Sequence, residues 1–258
     1  MTTEMHELSR RFAALTPDKR QVFLERLRAS GIGFEALPVV PRAAAGEAPM
    51  AYAQRPLWLA WQRDPASPAY NLAGRMTLPG SPDAAAVHRA LATLVARHAA
   101  LHTCFGCDAQ DQPVQREDPQ QRFGWSVREW NMPRDQAQQA LAAQAQAFAM
   151  EPFDLERGPV FRACLHVFPE GAPELVLCVH HIAADGQSIG LLLSEFRALL
   201  AAPGEAAPAP AAPGAAALGY ADYAAWQRHW MEAGELQRQI GHWRERLRDA
   251  PLATALPL

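Results

Sequence analysis

Apolar positions recur at helical spacing from the start of the chain, with Leu8, Phe12 and Leu15 on one face. Thr16-Pro17-Asp18 then offers a cap residue, a proline suited to the first helical position and an early acid. Val22, Phe23, Leu24 and Leu27 form the apolar side of a second helix, which Gly31 stops. Residues 1–42 therefore read as a helical lead-in, closed by the extended Leu37-Pro38-Val39-Val40-Pro41. Residues 43–49 have the composition of a short linker, and beyond them Leu57, Trp58 and Trp61 share one helical face. A strand of mixed alternation follows from Ala69 to Leu78, ended by Pro79-Gly80. Asp83 opens a helix whose apolar positions are Val87, Leu91, Leu94 and Val95. Val114, Phe123, Trp125, Val127 and Trp130 fall in two strand-like runs, and Pro133 opens an Ala- and Gln-rich helix reaching about Ala149. Val160 to Phe168 and Glu174 to His181 read as a strand hairpin, and Ile189, Leu192, Leu193 and Phe196 mark the helix after it. Residues 201–217, nearly all Ala, Pro and Gly, cannot bury enough surface to order themselves and read as a flexible loop. Two more helices close the pattern, one from Tyr220 and one carrying Leu236, Ile240, Trp243 and Leu247.

Composition narrows the class without naming a function. Hydrophobic residues make up 49% of 258 and charged residues 20%, the balance of an ordinary soluble protein with ample length for a core. A net charge of −3 gives no electrostatic reason to expect nucleic acid or an anionic membrane as partner. The first residues lack a basic region followed by an apolar run, and no apolar stretch approaches the roughly 20 residues of a membrane span. A cytoplasmic location is the expectation. Cys104 and Cys107 form a Cys-x-x-Cys pair, but no second ligand pair stands at zinc spacing, so no metal is expected. Cys164 and Cys178 lie in apolar strand patterns and read as small core residues.

The candidate chemistry lies where the strand ending at His181 gives out. Cys178-Val179-His180-His181-Ile182-Ala183-Ala184-Asp185-Gly186-Gln187-Ser188 joins a buried strand to a helix. An imidazole at a strand end titrates near neutral pH and suits proton transfer during attack by an amine, hydroxyl or thiol. The plainer reading is a pair of histidines in a turn. Asp185 has two readings as well, an ionic brace for the loop or a helix cap. Gly186 tolerates the backbone angles of a tight strand-to-helix turn. Arg97 is a candidate guanidinium partner for the Asp185 carboxylate, or else a solvated cation at a helix end.

The order His-His, three residues, Asp-Gly, between a strand and a helix, resembles the active-site motif of condensation domains of non-ribosomal peptide synthetases, in the chloramphenicol acetyltransferase-like superfamily. Four further segments resemble the same family in the same order. Ala53-Gln54-Arg55 with Trp58 is similar to its opening motif, with Pro56 where the family has Arg. Arg97, His98, Leu101, Thr103 and Phe105 match its second motif, in which Ala99 replaces a Glu and His102 an Arg. Phe153-Asp154-Leu155 through Gly158-Pro159 to Arg162 is close to the segment before the active-site strand, and Tyr220 to Arg228 resembles another recurrent segment. Gln187-Ser188-Ile189 departs from the Ser-Trp expected of the related epimerisation domains.

The resemblance implies an α/β fold, one lobe of a chloramphenicol acetyltransferase-like pair with a mixed, mostly antiparallel sheet covered by helices. The lead-in would occupy residues 1–42 and the N-terminal lobe residues 50–258, the C-terminal lobe being absent. It implies amide-bond formation between carrier-bound thioesters. His181 would act on the attacking amine, His180 would be structural, Asp185 would hold the loop and Gly186 would turn a backbone N–H toward the developing oxyanion. Arg97 would support them. No cofactor would be bound directly, since phosphopantetheine arms arrive on donor and acceptor peptidyl carrier proteins, and adjacent synthetase domains would be the other partners. Two alternatives stand beside this: a non-catalytic carrier-docking module, and a stand-alone acyl-coenzyme A-dependent acyltransferase.

Overall fold

The computed structural model describes residues 2–42, 46–118, 120, 122–201, 218–251 and 253. The chain forms two compact units, one from residues 44–221 and one from residues 1–43 with 222–258.

The larger unit is built on two sheets. Strands β1 (Glu47–Pro49), β2 (Asn71–Thr77), β3 (Thr103–Cys107), β4 (Pro113–Glu117), β5 (Gly124–Glu129), β6 (Phe161–Val167) and β7 (Glu174–His180) divide into a three-stranded antiparallel sheet, β1-β4-β3, and a four-stranded sheet, β2-β7-β6-β5. In the larger sheet β7 pairs antiparallel with β2 and β6, while β5 runs parallel to β6. This is the mixed, mostly antiparallel sheet expected, with β7 internal. Side-chain alternation then assigns the two faces. Ala163, Leu165, Leu175 and Val179 point to one face, where helices α4 (Ala84–Arg97) and α6 (Gly186–Ala201) cover them with Leu91, Leu94, Phe196 and Leu199. Arg162, Cys164 and His166 point to the other, which carries helix α5 (Arg134–Met150). Helix α3 (Gln54–Arg63) buries Trp58 among Met50, Phe105, Phe153, Leu155 and Ile182. Full burial of each such side chain stabilises by about 1.5–3 kcal/mol.

Helix starts follow the expected chemistry. Asp83 caps α4 by accepting the Ala86 N–H at 2.6 Å, and Pro133 precedes α5. Pro56 stands in the first turn of α3, where a missing N–H breaks no helical bond, so it does not kink the helix. Two local expectations are corrected. Residues 47–49, expected as linker, form the edge strand β1, because Ala48 is buried and β4 supplies its ladder. The strand β3 is not anticipated at all. Only Thr103 and Phe105 mark its inward face in the sequence, and Gly106 sits where a Cβ would come within 2.7 Å of Arg116. The loop expected over residues 201–217 lies outside the described residues from 202 onward.

The smaller unit contains α1 (Thr2–Ala14), α2 (Pro17–Ala29), most of α7 (Tyr220–Trp230) and α8 (Leu236–Arg246). Phe12, Leu24 and Phe34 pack with Trp226, Trp230 and Ala233, and the rings of Phe34 and Trp230 stack at 4.7 Å. The last helices thus pack with the lead-in in this unit. Aromatic spacing alone cannot reveal which apolar face a helix meets. A π-helical turn, Met231–Glu235, kinks at Gly234 (φ 98°), and the buried Glu235 carboxylate accepts from Arg238, Arg28 and Gln239.

Candidate active site

The loop after β7 is fixed residue by residue. The His181 N–H donates to the Tyr70 carbonyl at 2.8 Å, which continues the β2–β7 pairing one step past the strand. Ala183 N–H closes the turn on the His180 carbonyl at 3.0 Å. The two imidazoles then divide in role. His180 is buried, with its Nδ1 accepting the Ile182 N–H at 3.1 Å and its ring between Tyr70 and the edge-on ring of Phe153. Burial, and then the neighbouring charge of His181, lower its pKa to about 4, so it is neutral at physiological pH.

His181 is exposed. Its Nδ1 lies 2.8 Å from the Ala184 carbonyl oxygen, which can only accept, so Nδ1 carries a proton and in the neutral ring Nε2 keeps its lone pair. A solvent-facing imidazole held in this tautomer can take a proton at Nε2 without rearranging.

Asp185 is placed as a helix cap. Its Oδ1 accepts from the Ser188 N–H at 2.8 Å and the Ser188 hydroxyl at 2.6 Å, and its carbonyl accepts the first helical bond from Ile189. The Ser188 side-chain bond and then the Ser188 backbone bond hold its carboxyl pKa below the usual value. These contacts do not run to Arg97, which ends α4, half-buried, one residue before His98. His98 in turn ties α4 to α6 through Glu195, Nε2 to carboxylate at 2.9 Å. Gly186 is the first residue of α6 and is outside the left-handed region, so its backbone angles do not require glycine. A Cβ there would meet open space, and at a first helical position the N–H has no intrahelical acceptor. Ala99 and His102 lie on a short 3-10 turn, Ala99–His102, with His102 buried.

Several supporting residues escape a reading by apolar periodicity. Gln54, buried at 3% exposure, donates from Nε2 to the Ile182 carbonyl in the histidine loop at 3.3 Å. Asn71, opposite His180 in the ladder, donates to the Ala149 and Glu151 carbonyls at the end of α5. Arg162 donates to Phe148 and Glu151 carbonyls there and lies 3.9 Å above the Phe153 ring, which is edge-on to His180. Each is a polar residue at a strand or helix end flanking an apolar run, a signal visible in sequence but without a partner to give it meaning. Among the described residues no cluster of His, Cys, Asp and Glu could hold a metal ion, and no helix is long and apolar enough to cross a membrane. None of the four cysteines is in a disulfide.

Comparison with known proteins decides the family. The family model described as Condensation domain matches residues 44–258. The chain belongs to the condensation domain family. It is 36% identical over 216 residues to a linear gramicidin synthase polypeptide of Brevibacillus parabrevis, covering 82% of this chain and 3% of that synthetase. It is 34% identical over 263 residues to phosphinothricin tripeptide synthetase PhsC of Streptomyces viridochromogenes, covering 98% of this chain and 23% of the relative. The starter condensation domain of rhizomide synthetase RzmA shares the fold, with TM-score 0.68 at 21% identity over 80% of this chain and 49% of that one. A condensation domain involved in chain release from the enacyloxin polyketide synthase matches with TM-score 0.62 at 27% identity, over 92% and 47% of the two chains. The chain thus spans about half the length of these solved condensation domains and a smaller share of the two synthetases.

Proposed function

We propose that this chain is the histidine-bearing N-terminal half of a condensation catalyst that joins an upstream carrier-bound acyl or aminoacyl thioester to the amine of a downstream carrier-bound aminoacyl thioester. The observation that carries this is the state of His181: exposed, with Nδ1–H held by Ala184 and Nε2 open, on a loop anchored to β2 and α6. The downstream amine attacks the donor carbonyl, and the new C–N bond forms as His181 Nε2 accepts or orients the amine proton. Collapse of the tetrahedral intermediate breaks the C–S bond, and the proton leaves with the donor thiol. His180 stays neutral and structural, Asp185 fixes the start of α6, and Gly186 offers its N–H to the oxyanion with no side chain to obstruct approach. Arg97 supports this frame from the end of α4, beside the His98–Glu195 contact.

The substrates arrive on phosphopantetheine arms of donor and acceptor carrier proteins, in the cytoplasm, and the chain itself holds no cofactor or metal. A chain spanning half of a condensation domain docks carriers but does not turn over, because reactants must be held in near-attack geometry from both sides. A mass-spectrometric condensation assay with loaded donor and acceptor carriers tests this on the 258-residue chain and on a form extended through the following coding sequence. Amide product from the extended form alone is expected. Product from neither, with carriers still bound, would favour a docking module and overturn the catalytic reading.

A further inference from the structure

We propose that Gln54 is a positioning residue for His181, acting through the Ile182 carbonyl, with Gln115 fixing the orientation of the Gln54 amide. For catalysis this rests on the condensation reading; for the geometry of the loop it does not.

Gln54 is the first residue of α3 and Gln115 lies mid-strand in β4; both side chains are buried, at 3% and 2% exposure. The Gln54 Oε1 accepts two hydrogen bonds, from Ala51 N–H at 2.9 Å and from Gln115 Nε2 at 3.2 Å. Gln115 Nε2 spends its other hydrogen on the Pro49 carbonyl at 2.9 Å. An oxygen with two donors aimed at it cannot be exchanged for the NH2 group, so the amide has one orientation. That orientation turns Nε2 toward Ile182 O at 3.3 Å. A cap for α3 would need only the Ala51 bond. The second end of the amide reaches a carbonyl 128 positions along the chain, one residue past His181.

Ile182 is the pivot of the turn. Its N–H is taken by His180, its carbonyl by Gln54, and its side chain is buried beside Met50 and Trp58. The carbonyl of Ala184, two residues on, holds the His181 Nδ1 proton. Without Gln54 a buried carbonyl loses its donor, and the peptide between Ile182 and Ala183 is free to turn toward another. That rotation moves Ala184 O away from Nδ1 and releases the tautomer that leaves Nε2 basic. Displacement of a reacting group by about 1 Å can cost on the order of 10²-fold in rate.

The test uses Gln54→Leu, which keeps similar bulk and cannot donate. Nitrogen-15 NMR on the 258-residue chain reports the His181 tautomer, and amide hydrogen exchange reports residues 182–184. The wild type is expected to show Nδ1–H alone. The variant is expected to show both tautomers, with loop amides exchanging about tenfold faster while the strand amides of β7 keep their protection. In the extended form kcat is expected to fall about 10- to 100-fold, with KM within about twofold. A folded variant with unchanged tautomer and exchange overturns the proposal, as does a kcat loss without a tautomer change. If Gln54→Leu does not fold, Gln115→Leu supplies the same readout in the same direction, and an unchanged His181 there overturns it equally. The NMR arms need no substrate. An extended form without condensation activity would sink the catalytic reading while the tautomer result stood or fell separately.

Discussion

Replacing His180 by Asn should flatten the acid side of the stability curve. In the folded chain the His180 pKa falls from 6.5 to about 4, first by burial and then by the charge of His181. Between these values the unfolded chain binds a proton that the folded one refuses. The stability this neutral imidazole contributes is therefore complete above pH 6.5 and is lost as pH falls toward 4. A shift of that size corresponds to roughly 3 kcal/mol, of which about 2.5 kcal/mol is gone by about pH 4.5. Geometry supplies the mechanism, since a protonated Nδ1 would face the Ile182 N–H donor to donor at 3.1 Å. Asn offers Oδ1 as an acceptor in a similar place and does not titrate. It gives up the ring contacts with Tyr70 and Phe153, so it starts about 1–2 kcal/mol less stable at neutral pH. His229, also lowered to about 4 by burial and then by Arg20 and Arg228, would add its own acid limb, so both proteins are compared in a His229→Gln background. Urea unfolding from about pH 7.5 to about pH 4.5 should show the difference between the two change by about 2.5 kcal/mol, so that the curves cross and the Asn variant becomes the more stable at the acid end. Parallel curves would refute both the neutral His180 and its acceptor role.

Two further substitutions probe the frame. Asp185→Asn preserves an N-cap acceptor for Ser188 and should change stability by less than about 0.5 kcal/mol, whereas Asp185→Ala should cost about 1 kcal/mol by thermal or urea unfolding. Equal losses in the two would show that charge rather than capping is what Asp185 supplies. Glu174, buried at the start of β7, is bound by Arg134 at 2.6 Å and faces Arg75 at 3.4 Å. Glu174→Ala should cost about 2–3 kcal/mol, less than the roughly 3–5 kcal/mol typical of fully buried pairs because both guanidiniums keep some solvent contact. A loss below about 0.5 kcal/mol would show that the cluster contributes no more than a surface pair.

What the sequence disclosed, and what it hid, follows from the range of each interaction. Helices with a cap and a periodic face, such as α4 behind Asp83, and the β6–β7 hairpin were legible because their determinants lie within a few residues. The histidine motif placed His180 and His181 at the end of a central strand, and the sheet order puts β7 inside. The division of roles between the two rings was not legible from spacing. It depends on Tyr70, Phe153 and Ile182, which only the fold brings together. Gln54 was hidden for the same reason: its motif reads as the polar edge of an apolar face until Ile182 arrives 128 positions later. For Asp185, two readings were open, and the hydrogen bonds to Ser188 give the cap a direct geometric basis. The packing of Trp226 and Trp230 with Phe34 was likewise out of reach, since an aromatic stripe on a helix does not name its partner.

In the proposed reaction the open Nε2 of His181 serves amide formation between two carrier-bound thioesters. The most direct measurement is single-turnover condensation by the extended form at saturating loaded carriers, compared with its His181→Ala variant. A rate falling about 10²- to 10⁴-fold, with carrier affinity unchanged, is the result expected for loss of a positioned proton acceptor. An unaltered rate in the variant would contradict it, and would move the chemistry away from this loop altogether.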